Sequence, residues 1–124
     1  MSLPQVDYRN LNVYFNREEI IRATLLQIQK DFALFKVKLD WDGNMENAIE
    51  NITASLLSAI RDLIDSNDRI FLSVLYQIDL SEKSIGEARR DNPGRDHYEL
   101  LAGQIIAREL QKVLTREFFR HQSI

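Results

Sequence analysis

The sequence predicts an all-α fold, one domain built as a bundle of about four helices with a short extra helical piece. Four segments carry apolar residues at alternating three- and four-residue spacing, which is the repeat of one helix face. Gly and Pro number only four and two, favouring long uninterrupted elements over a turn-rich β fold. Only residues 35–41 and 69–80 alternate as strands do, and two parallel strands around one helix make no stable sheet.

Residues 1–15 mix Leu3, Val6, Leu11 and Val13 with Tyr8, Tyr14 and Phe15 in no clear period, as expected of an extended arm lying on the bundle. Asn16 with Glu19 suggests a capping box, and Phe15 with Ile20 a hydrophobic staple. The first helix, 17–35, then carries Ile21, Leu25, Ile28, Phe32 and Phe35 as a single seam. Asp42-Gly43-Asn44 is turn chemistry, with Asn44 placed to cap a second helix over 45–65. Met45, Ile49, Ile52, Leu56, Ile60 and Leu63 line one face of that helix. Ser66-Asn67-Asp68 breaks it.

Residues 69–80, RIFLSVLYQIDL, are the densest apolar run. Read as a helix, Arg69, Ser73 and Gln77 form one narrow polar line, the pattern of a helix enclosed by others. The run also alternates as a strand, but no third strand exists to complete a sheet, so a helix is expected. Ser81 can cap a short piece through residue 90. Asn92-Pro93-Gly94 is the strongest breaker, and Asp96 with Glu99 opens a last helix over 97–120.

A chain of 124 residues without Cys can hold neither disulfides nor thiolate chemistry. No apolar run approaches the length of a membrane span, and the first residues lack the basic and apolar regions of a secretory signal. A cytoplasmic location and no membrane partner are the expectations. The net charge of −3 is unevenly spread: residues 40–68 hold seven acids and one base, whereas residues 89–124 hold seven bases and five acids.

No catalytic residue, metal site or cofactor is expected. Aligning Gly43 with the invariant glycine of an EF-hand puts Lys38 first and Ile49 twelfth, where Asp and Glu are required. His97 and His121 sit at opposite ends of the last helix and cannot share a metal. Asn51-Ile52-Thr53 matches a glycosylation sequon, but it lies inside a helix. Tyr76 and Asp79 are candidate binding residues. On a buried helix their polar groups need partners, and Arg108 or Arg116 could supply one. A buried pair of that kind would make loss of Asp79 cost about 3–5 kcal/mol. Arg108, Lys112, Arg116 and Arg120 follow at four-residue steps and form a basic line on one face of the last helix. Nucleic-acid binding is one use for it. The acidic whole argues for the other, in which the bases face acids such as the middle helix, or Glu109 and Glu117 three residues from Lys112 and Arg120.

The segment LYQIDLSEK over 75–83, with IIARELQKVLTR over 105–116, resembles small uncharacterised bacterial all-helical proteins of unassigned function. That resemblance implies an all-helical fold and carries over no active-site residue. The leading functional expectation is a non-enzymatic protein acting through protein contacts. Leu26, Leu34 and Tyr14, beyond the first helix's seam, point to its own second copy and a homodimer. A nucleic-acid accessory role and a pocket near Tyr76 and Asp79 are the alternatives.

Overall fold

The computed structural model describes residues 3–32, 41–66 and 68–122. They form helices α1 (Leu11–Tyr14), α2 (Glu18–Asp31), α3 (Ala48–Ser66), α4 (Asp68–Ile78), α5 (Glu82–Asp91) and α6 (His97–Gln122), with a 3-10 turn at Met45–Asn47 before α3. No strand occurs among the described residues. The fold is all-helical, as predicted, with six helices among the described residues where about four and a short piece were expected. The strand candidate at 35–41, the end of the first helix at 35, Leu34 and Asn67 lie wholly or largely outside the described residues.

The element enclosed by others is α6, not α4. Leu100, Leu101, Ala102, Gln104, Ile105, Ile106, Ala107, Glu109, Leu110, Val113 and Leu114 are all buried, eleven of the fifteen residues between 100 and 114. Helices α2, α3, α4 and α5 all pack on it. By contrast α4 buries Phe71, Val74, Leu75 and Ile78 while Leu72 and Tyr76 are 53% and 89% exposed. Its apolar composition exceeds what its one packed face uses.

Two ties set α2 antiparallel to α6. Arg17 binds both carboxylate oxygens of Glu117 at 2.6 and 2.8 Å, while Asp31, fourteen residues on, meets Lys112. The expected Asn16 cap is absent: Arg17 stands at the N-cap position with no side-chain cap bond. Other caps form as read from the sequence. Asn44 Oδ1 accepts from the Glu46 amide, Ser81 Oγ from Ser84, and Asp96 Oδ1 from Tyr98 and Glu99.

Residues 3–10 cross α6. The Gln111 side chain takes the Val6 amide at 2.8 Å and donates to the Pro4 carbonyl at 2.8 Å, and Asn92 donates to the Tyr8 hydroxyl at 2.7 Å. The crossing is close because position 103 is glycine; a Cβ there would stand 3.3 Å from Tyr8 Cβ. A helical turn at Leu11–Tyr14 interrupts the stretch expected to be extended as far as residue 15.

Asp79 ends α4 in a left-handed conformation, φ 68°. Leu80 N–H reaches the Leu75 carbonyl and Asp79 N–H the Tyr76 carbonyl, each at 3.0 Å, the two bonds of a Schellman cap. Leu75 and Leu80 are both buried, supplying the apolar contact that accompanies it. Any side chain at this φ is strained relative to glycine by roughly 1 kcal/mol. Asp79→Gly should therefore leave stability unchanged or raise it by up to about 1 kcal/mol in urea unfolding. A loss of about 3 kcal/mol would restore the buried-pair reading.

Candidate functional site

The four bases of the predicted line border two different depressions. Arg108, Lys112 and Arg116 line a depression of about 400 Å3 between α2 and α6, together with Gln27, Gln111 and Thr115. Arg120 lines a different one, beside Arg17, Glu117 and His121. Two of the bases are already engaged. Arg108 lies 3.3 Å from Asp79, and Lys112 is 2.8 Å from Asp31 and 3.0 Å from Glu109. Bases facing acids was the second sequence reading, but the acids belong to α2, the end of α4 and α6 itself, not to the middle helix α3. Glu117 answers Arg17 at 2.6 Å, where Arg120 was expected. Arg116 is exposed.

Tyr76 and Asp79 are not the buried pair expected. Asp79 does meet Arg108, but its side chain is 87% exposed. Tyr76 is 89% exposed. Neither lines the depressions already described, nor a third of about 250 Å3 where residues 6–9 meet α5 and α6, edged by Arg108. Among the described residues no group of three His, Asp or Glu is placed to hold a metal ion.

The chemistry of the site lies one layer beneath Lys112. Glu109 is fully buried, and Asp31 is 7% exposed. Gln27 fixes Asp31 from one turn earlier, Nε2 to Oδ2 at 3.2 Å. Burial works against the charge on Asp31, yet bonds from Glu109, Lys112 and Gln27 outweigh it, and the carboxyl is held below the usual range. Burial also opposes the Lys112 ammonium, but its two carboxyl partners raise it above the usual lysine range. Glu109 goes the other way. Burial, then the hydrogen bond it makes with Asp31, push it up to about 8 against the pull of Lys112. Among the described residues no donor makes a directed hydrogen bond to either oxygen of an ionised Glu109 carboxylate, although Lys112 Nζ stands 3.0 Å from Oε1. Protonation resolves this, because a neutral Glu109 becomes a donor and the Asp31 carboxylate is its acceptor. Near neutral pH the cluster is one anion, one cation and one neutral acid.

The sequence reading placed Glu109 as a surface partner of Lys112 and overlooked Asp31 and Gln27. A signal was present: Glu109 falls four after Ile105, three after Ile106 and four before Val113, in the middle of the apolar stripe.

No family model matches the chain, and comparison with curated proteins and with solved structures finds no match. Among the described residues no helix is long and apolar enough to cross a membrane.

The raised Glu109 carboxyl makes stability depend on pH. Folded Glu109 holds its proton up to about 8, whereas the ordinary carboxyl loses it near 4.5, so folding takes up a proton between those values. Stability must then fall as pH rises through that window, by at most about 1.4 kcal/mol per unit. Asp31, lowered, contributes above its ordinary range, and Lys112, raised, contributes below its own; neither slopes inside the window. Urea unfolding should show wild-type stability declining by on the order of 2 kcal/mol between about pH 6 and 8. Glu109→Gln, which keeps the shape of the neutral acid, should flatten that profile and exceed wild type at the alkaline end. A wild-type curve that rises over the same range would refute the neutral assignment.

Proposed function

We propose that the protein works through protein contacts rather than through chemistry of its own, as a helical bundle that pairs with a second copy of itself. The observation that carries this reading is the outer face of α4. Leu72 and Tyr76, one turn apart, are 53% and 89% exposed on a helix whose opposite face is packed. Tyr and Leu side by side on a rigid helix suit a contact core, since an aromatic ring adds large area at small conformational cost. A two-fold contact is self-complementary, so Tyr76 of one copy can lie against Leu72 of the other. Leu26, the α2 residue expected to mark a contact surface, is 66% exposed and offers a second apolar point. Tyr14 is half-buried and packs against the core, which removes it from that surface.

The nucleic-acid reading loses support, because Arg108 and Lys112 are already held by Asp79, Asp31 and Glu109. A reaction centre at Tyr76 and Asp79 loses support from the exposure of both. Light scattering after size exclusion at tens of micromolar protein should give twice the monomer mass. Tyr76→Asp with Leu72→Asp should return it to monomer with the helical circular dichroism unchanged. A wild-type monomer, or a dimer indifferent to the double change, would contradict the proposal.

A further inference from the structure

The depression between α2 and α6 has the makings of a ligand site. Its donors are incompletely used. Arg108 spends Nη2 on Asp79 while its buried Nε meets no acceptor among the described residues. Arg116 projects at the rim with an exposed guanidinium, and a guanidinium fork suits a carboxylate or an oxyanion of phosphate type. Thr115 accepts from Gln111, which leaves its own hydroxyl hydrogen to give. Gln111 contributes shape only, since its amide is committed to Pro4 and Thr115 and its oxygen to Val6. Lys112, in the lining, is also the cation of the buried carboxyl pair beneath.

We propose that this depression binds a small carboxylate- or phosphate-bearing anion through Arg116, Arg108 and Thr115, and that binding is coupled to the proton on Glu109 by way of Lys112. Counting charge gives the coupling its sign. With Glu109 protonated, the cations Arg108, Lys112 and Arg116 face two carboxylates, Asp79 and Asp31, and the site is positive by one. With Glu109 ionised the charges cancel. Among the described residues, the charged groups that act on Glu109 are Asp31 from α2 and Lys112 from its own helix. α3 and α4 turn apolar side chains, Ile52, Leu56 and Ile60, and Phe71, Val74 and Ile78, into the shared core. Asp79, at the end of α4, is taken up by Arg108. An anion is thus held better by the protonated form, and by linkage the bound anion holds the proton more firmly. The elevated carboxyl puts the exchange near neutral pH.

The probes are sulfate, a dianion throughout, and succinate, predominantly dianionic at both pH values, so that sulfate controls for titration of the ligand itself. Amide chemical shifts of the full chain are followed during titration at about pH 6.5 and about pH 9, on either side of the Glu109 midpoint. The expected result is saturable shifts at residues 108–116 and Gln27, with affinity weaker by roughly tenfold at the higher pH, as loss of one nearby unit of charge allows. Arg116→Ala, an exposed change that leaves the fold intact, should abolish saturation. Glu109→Gln should bind at both pH values alike. No saturation by either anion at millimolar concentration overturns the site. Equal wild-type affinity at the two pH values overturns the coupling and leaves a plain anion site. Shifts spread over every basic surface, unchanged in Arg116→Ala, overturn both.

Discussion

Burial of a carboxyl in the middle of the one helix that the others surround is the constraint on which this structure turns. Helix α6 is wrapped by α2, α3, α4 and α5, and the Glu109 side chain has no exposure to water. Ionising a carboxyl buried there costs several kcal/mol, and the group stays neutral instead. Neutrality still demands a hydrogen-bond acceptor. Asp31 supplies it, and Lys112 in turn supplies the charge that lets Asp31 remain ionised. Each of the three is tolerable only with the other two present.

That dependence fixes how α2 lies on α6. Asp31 must sit opposite positions 109 and 112, and Arg17 opposite Glu117 clamps the other end. A shift of either helix by one turn would leave a buried ion unpaired, at a cost of several kcal/mol. Apolar side chains supply most of the cohesion, but they tolerate sliding far better than this cluster does. The segment at residues 3–10 adds a second register device, since Gly103 admits Tyr8 only where α6 and the strap cross.

The helices were legible because their signals are local. Spacing of apolar residues, Asn44, Ser81 and Asp96 as caps, and the Asn92-Pro93-Gly94 break act within a turn or two of chain. The choice of central helix was not legible. Residues 69–80 are richer in apolar groups than 97–122, yet α4 is only 11 residues long and presents one face, while α6 spans 26 and meets four neighbours. Burial follows from length and position as much as from composition. Asp79 misled for a related reason: Arg108, one of the two arginines expected as its partner, does meet it, but the residue closes a helix end in the left-handed region, where it points to solvent. The Asp31–Glu109–Lys112 cluster joins residues about eighty positions apart, and no periodicity reports such a contact. Only the break in the apolar stripe at Glu109 hinted at it.

The account rests on Glu109 being a neutral acid, and the carboxyl can be watched directly. Carbon-13 labelling of glutamate, with Glu109 assigned by loss of its signal in Glu109→Gln, gives a side-chain carboxyl resonance to follow across the pH range in which the protein stays folded. The account predicts a midpoint of about 8, with the exposed glutamates titrating well below it. A Glu109 midpoint near the ordinary 4.5 would mean the buried group is ionised at neutral pH, and the neutral core cluster would have to be abandoned.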